Sequence, residues 1–221
     1  MPQRDDAAIE ISAFKWVPPF AQGKVRDIRI RWALEELGLP YRVKLFDARV
    51  GRPAEYFQEQ PFGQVPAFTE GAVQMFESGA ILLYLAERGE VLMPRDTVGR
   101  TRTMCWVAAA LNSVEPLTFE LVNIDLFNKG EQWATLRRPE AEVNMRKRLT
   151  LLSGWLGDKP YLEGDFTVAD LLMTTVLRNL DLTRLVEEHA NLAAYMKRCM
   201  ARPAFAAAIA AQMDDFVDQA A

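Results

Sequence analysis

The sequence changes its periodicity once, and that change bounds the fold. Up to Met93, period-2 and period-3.6 stretches take turns; beyond Met93-Pro94-Arg95-Asp96 nothing alternates and helical spacing takes over. Ile9, Ile11 and Ala13 alternate with Glu10 and Ser12 and predict a first strand. From Asp27, the residues Ile28, Trp32, Leu34 and Leu37 share one helical face, with Arg29, Arg31, Glu35 and Glu36 largely off it. Gly38 supplies a stop and Pro40 prevents resumption. Tyr41, Val43 and Leu45, interleaved with Arg42 and Lys44, make a second strand. Strand, crossover helix and strand require a parallel pair with a right-handed connection.

A short helix is expected over 53–60, then strands over 65–69 and 72–76 joined by Glu70-Gly71, then a helix from Ser78. The order βαβ–α–ββα gives an α/β domain over residues 1–92, and residues 98–221 an all-α domain. Within the second, Met145, Leu149, Leu152 and Leu156 keep to one helical face, and Pro116 should end or kink the helix that carries Trp106 and Leu111. The stretch Gly164-Asp165-Phe166-Thr167-Val168-Ala169-Asp170-Leu171 is a helix start. Thr167 is its N-cap, Asp170 returns the bond, and Phe166 staples against Leu171.

Rare residues exclude whole classes of chemistry. His189 is the only histidine and reads as a surface residue at a helix end. Cys105 and Cys199 lie far apart in helical runs and read as small buried fillers, so no metal site and no disulfide scaffold is expected. With 26 Lys+Arg against 30 Asp+Glu and no basic half, nucleic acid is not an expected partner. The longest apolar runs, 80–86 and 204–211, fall far short of the roughly 20 residues that a spanning helix needs, so no membrane partner is expected. The polar start, Met1-Pro2-Gln3-Arg4-Asp5-Asp6, lacks a signal-peptide core and points to the cytoplasm.

The chemically informative residues are Gln64-Val65-Pro66 and Glu77-Ser78. A proline that opens a strand cannot donate to the ladder, which leaves the backbone of the preceding residue free. Ser78 lies at a helix N-terminus, where amides and macrodipole favour an anion, and Glu77 can pair with an ammonium. Carboxylate and ammonium on one carbon make an amino-acid head group. The plainer alternative is that Ser78 starts its helix and Glu77 complements the dipole.

Gln64-Val65-Pro66, Glu77-Ser78, Ala80-Ile81 and Tyr84-Leu85 resemble the glutathione-binding signature of glutathione transferases. The capped stretch from Gly164 to Asp170 is similar to the capping box of that family's helical domain, and the likeness runs over about residues 8–200. The resemblance implies a thioredoxin-like N-terminal domain, a helical domain contributing a hydrophobic pocket, and a homodimer. It further implies glutathione as co-substrate and a small hydrophobic electrophile, or a peroxide, as second substrate. By that carry-over Val65 holds the cysteinyl backbone beside a cis Pro66, Glu77 and Ser78 hold the γ-glutamyl end, and Gln64 contributes. Trp16, Phe20, Trp106, Leu117 and Phe119 are candidates for the electrophile pocket. Lys44, Arg49 and Arg52 are candidates for the glycine carboxylate.

The catalytic side chain is where the chain departs. Family members carry a Tyr, Ser or Cys after the first strand, yet residues 1–40 hold no Tyr, Cys or Thr, and Ser12 falls inside the strand. Pro19-Phe20-Ala21-Gln22 resembles the start of the cysteine-type loop, with Pro18 where the cysteine belongs. The catalytic residue is therefore unknown. Lowering a thiol pKa by about two units requires roughly 2.7 kcal/mol of thiolate stabilisation. The donors left for that task are backbone amides at the start of the Asp27 helix, with Lys24 or Arg26. A protein that keeps the fold and binds ligands without turnover is the alternative function.

Overall fold

The structure, a computed structural model, describes residues 3–216. Strand β1 (Ile9–Trp16) leads through a 3-10 turn at Pro19–Ala21 into helix α1 (Asp27–Leu37), which ends on Gly38 in the left-handed conformation. Strand β2 (Tyr41–Asp47) pairs parallel to β1 with Ile9 opposite Tyr41, as the βαβ pattern requires. After α2 (Tyr56–Glu59), β3 (Ala67–Glu70) runs antiparallel to β1 and forms a hairpin with β4 (Val73–Phe76), giving the sheet order β2-β1-β3-β4. Helix α3 (Ser78–Ala86) follows with only Glu77 between it and β4. This is the thioredoxin-like arrangement expected. In detail β1 runs three residues past Ala13, because Phe14 and Trp16 continue pairing with β2 across a register shift. The short helix shrinks to α2, and β3 opens at Ala67, since Pro66 has no N–H to give the ladder.

Past Pro94 every regular element among the described residues is helical. They are α4 (Thr97–Ala109), α5 (Glu115–Val122), α6 (Gln132–Leu156), α7 (Val168–Leu177), α8 (Ala190–Met200) and α9 (Pro203–Asp214). All ten residues of α7 are buried, so α7 is the axis of the helical core, and the Thr167–Asp170 capping box that starts it is formed. Pro116 does not end its helix. A π turn, Ala110–Val114, stands directly before α5, and the Glu115 amide bonds back to the Ala110 carbonyl. The wider turn makes room for a ring that would otherwise meet the carbonyl four residues back.

Backbone contacts divide the chain into two units: residues up to Met93 together with those from Ala201 on, and Pro94–Met200. The last helix thus returns to the first unit rather than closing the helical one. Phe205 packs on Trp32 with ring centroids 4.7 Å apart, and Arg202 grips Glu36 with two bonds of 2.6 and 2.7 Å. This packing corrects the face assigned to α1. Arg29 and Arg31 are buried, because α1 is covered on more than one side. Arg31 pairs with Asp27 at 2.8 Å, one helical turn away, and with Asp215 beyond α9. Gln212 of α9 donates to the Val25 carbonyl (3.1 Å) and to Asp27 (2.8 Å). His189 is half-buried just ahead of α8, where its carbonyl accepts the Ala193 amide, a helix-end role as expected. Cys199 is buried, but Cys105 is exposed and is not a core filler: its helical run carries it to the outer face of α4. Among the described residues no helix is long and apolar enough to cross a membrane.

Candidate functional site

The peptide bond Val65–Pro66 is cis. Val65 is buried as a side chain, and its backbone amide and carbonyl make no hydrogen bond among the described residues. The loop around it is held from below. Gln60, itself buried, accepts the amides of Phe62 (2.7 Å) and Gln64 (3.1 Å) on one side-chain oxygen. Tyr56 donates to the Gln64 carbonyl at 2.6 Å. Ser12 accepts the Ala67 amide at 2.7 Å and bonds to the Tyr56 hydroxyl at 2.6 Å. The Gln64 side chain is exposed, leaving it available to a ligand.

Ser78 stands at the start of α3, 6% exposed, and its hydroxyl accepts from Arg29 Nη1 at 3.0 Å. The amides of Ser78, Gly79 and Ala80 have no acceptor among the described residues, so the helix tip presents three donors beside a guanidinium. Glu77 is exposed and holds φ 68°, a conformation that L residues avoid at a cost on the order of 1–3 kcal/mol. The chain turns from β4 into α3 at this single residue, so the strain is the consequence of placing strand end and helix tip side by side. An anion at the tip and an ammonium on Glu77 suit a zwitterionic head group.

The three candidate cations separate cleanly. Lys44 is matched by Glu59 at 2.6 Å, and Arg49 by Asp47 at 2.7 Å. Arg52 has no carboxylate partner among the described residues: Nη1 donates to the Asp47 and Val50 carbonyls, and Nε is buried without an acceptor. Its guanidinium lies 4.6 Å over Phe14, and its stem lies against Gly63, two residues before Val65. Arg52 is therefore the cation with charge to spare.

Thiolate stabilisation fares differently. Ser12 is 2% exposed with both hydrogen-bonding roles spent, so the one hydroxyl in the first 40 residues is structural. The amides of Ile28 and Arg29 at the start of α1 bond to the Val25 and Arg26 carbonyls at 3.0 and 3.1 Å. That turns inward two of the donors expected there, and the buried Asp27 carboxylate at the same tip is of the wrong sign. Among the pocket candidates, Trp16 lies under Arg49 at 4.6 Å and Phe20 and Leu117 are half-buried. Trp106 is engaged by Trp155 (5.5 Å) and Glu163 (2.7 Å), and Phe119 is exposed. Sequence reasoning named Val65, Pro66, Glu77 and Ser78 but passed over Tyr56, Gln60 and Arg29. The Asp27-to-Arg31 spacing of one helical turn was the available hint that α1 buries charge.

Residues 21–87 match the family model described as glutathione S-transferase, N-terminal domain, and residues 131–203 the one described as glutathione S-transferase, C-terminal domain. A glutathione S-transferase of Silene vulgaris is 30% identical over 201 residues, covering 83% of this chain and 92% of that protein. One from Hyoscyamus muticus is 29% identical over 196 residues, covering 82% and 92%. Among solved structures, a glutathione transferase from Burkholderia graminis with two glutathione molecules bound per subunit superposes with a TM-score of 0.80 at 23% identity, over 91% of this chain and 87% of the other. Poplar glutathione transferase F1 superposes with a TM-score of 0.79 at 23% identity, over 93% and 98%.

Proposed function

The chain belongs to the glutathione S-transferase family, and from that premise we propose that it binds glutathione across the Val65 edge and the α3 tip and uses the thiolate against a hydrophobic electrophile or peroxide. The observation that carries the reading is the pairing of an unengaged backbone edge at Val65 with three unengaged amides at Ser78–Ala80, all judged among the described residues. In this reading the cysteinyl backbone pairs with Val65 as a short antiparallel strand. The α-carboxylate of the γ-glutamyl group takes the Ser78 hydroxyl and the α3 amides. Its ammonium takes Glu77, and Gln64 contributes a side-chain contact. Arg52 meets the glycine carboxylate, because the other two cations are already neutralised. A homodimer and a cytoplasmic location belong to the same reading.

The step that consumes the thiolate needs the thiol proton removed near neutral pH, where a free thiol is only a few per cent ionised. With Ser12 spent, the reading assigns the favouring of the anion to the positive charge of Lys24 or Arg26 in the loop before α1. The spent hydroxyl also favours a second reading, a binding protein that holds glutathione without turnover.

Calorimetry with glutathione and with S-hexylglutathione decides between binding and none. Affinity in the millimolar range or tighter, lost in the Glu77→Ala/Ser78→Ala double variant, supports the site; no heat from either ligand overturns it. An absorbance titration of bound thiolate then separates the readings: a depressed thiol pKa supports the enzyme, and an unshifted one the binder.

A further inference from the structure

A run of hydroxyl hydrogen bonds brackets the cis peptide, and its direction is fixed by proton count. Tyr56 gives its one hydroxyl proton to the Gln64 carbonyl at 2.6 Å. The 2.6 Å bond between Tyr56 and Ser12 therefore takes the serine's proton. Ser12 in turn receives the Ala67 amide at 2.7 Å. The order is Ala67 N–H to Ser12, Ser12 to Tyr56, and Tyr56 to Gln64 C=O. Both hydroxyl residues are buried, and burial pushes the Tyr56 hydroxyl above the ordinary tyrosine range, so it remains a donor.

The two ends of this run are backbone groups on either side of Val65–Pro66. We infer that Ser12 and Tyr56 are positioning residues: they hold the peptide groups flanking Val65 so that its amide and carbonyl meet a peptide ligand in one fixed orientation. The inference rests on the reading of Val65 as the edge to which glutathione pairs. A ligand that adds to an ordered edge does not have to order it, whereas an edge freed from Tyr56 must be fixed on each binding event. Neither hydroxyl reaches the reacting sulfur in this scheme, so the effect falls on binding and not on the chemical step.

Tyr56→Phe and Ser12→Ala test this. The aromatic ring that Tyr56→Phe retains keeps its packing against Phe46, whose centroid lies 4.5 Å from that of Tyr56, while the run is cut at its centre. With the full chain and S-hexylglutathione in the calorimeter, Tyr56→Phe is expected to weaken binding about tenfold, the scale of one lost buried hydrogen bond. In turnover, KM for glutathione should rise by a similar factor while kcat stays within about twofold. Tyr195→Phe, which removes a buried hydroxyl from the second unit, controls for stability: it lowers the unfolding midpoint without moving affinity. Ser12→Ala is the second variant and reads the same point should Tyr56→Phe not fold. If wild type binds and both folded variants bind as tightly, the inference falls while the functional reading stands. If wild type binds neither glutathione nor its S-hexyl derivative, the functional reading falls and takes the inference with it. A fall in kcat at unchanged KM also refutes a positioning role.

Discussion

Replacing Asp170 by Ala should cost the helical unit about 4 kcal/mol, and the structure says where that comes from. The carboxylate is fully buried and receives four hydrogen bonds: the Leu162 amide (2.9 Å), the Thr167 amide (2.9 Å), the Thr167 hydroxyl (3.2 Å) and the Tyr195 hydroxyl (3.1 Å). The two hydroxyls can turn; Tyr195 already lies 3.4 Å from the Asp170 carbonyl. The two amides cannot turn, and a buried amide left without an acceptor costs on the order of 1–3 kcal/mol. Two of them at about 2 kcal/mol each give the figure, which for a chain of this size lowers Tm by roughly 8–16 °C. Asp170→Asn keeps one acceptor oxygen but turns an NH2 toward one of the fixed amides, so it should fall midway, at about 2 kcal/mol. Urea unfolding followed by tryptophan fluorescence measures the series, since Trp106, Trp133 and Trp155 all lie in the helical unit. A cycle with Tyr195→Phe should show coupling of about 1 kcal/mol. A loss under about 1 kcal/mol for Asp170→Ala would mean that the amides find other acceptors and that the accounting is wrong.

Native protein should expose one thiol to an aromatic disulfide reagent, Cys105, and two after unfolding; fast labelling of both in the native state contradicts the burial of Cys199. Arg52→Met should weaken glutathione binding but leave γ-glutamylcysteine, which lacks the glycine, unaffected; an equal loss for both ligands removes Arg52 from the carboxylate role. The Asp47 carboxyl is held at about 2 by hydrogen bonds from Arg49, side chain and backbone. Its folded value lies below the ordinary carboxylate value, so whatever this pair adds to stability is present above pH 4 or so and is lost as pH falls toward 2. Carbon-detected titration of Asp47 should return it toward the ordinary value in Arg49→Gln, and an unmoved value refutes the assignment.

The features that the sequence announced are those whose causes are local. Thr167 and Asp170 cap α7 from three residues apart, Gly38 ends α1 on its own φ, and alternation sorts β1 from α1. The site was half legible for the same reason: Pro66 and Ser78 mark a strand start and a helix tip by their own chemistry. What was not legible depends on residues distant in sequence. The cis state of Val65–Pro66 is a minority form that only tertiary context selects. Tyr56 and Ser12 meet across a separation of 44 residues that no spacing rule reports. Arg29 and Arg31 read as largely off the apolar face of α1, yet Arg29 meets Ser78 at the α3 tip and Arg31 meets Asp215 just beyond α9, 49 and 184 residues away. Cys105 erred in the opposite direction, since a helical run does not tell which of its faces is inward.

The return of α9 to α1 has a consequence for how the protein is made. On the ribosome, the sheet and α1 leave the exit tunnel while Gln212 and Asp215 have yet to be translated. At about 5–20 residues per second, the stretch between Met93 and Ala201 takes roughly 5–20 seconds to synthesise. For that interval the Asp27–Arg31 pair and Trp32 lack the partners that Gln212, Asp215 and Phe205 later bring.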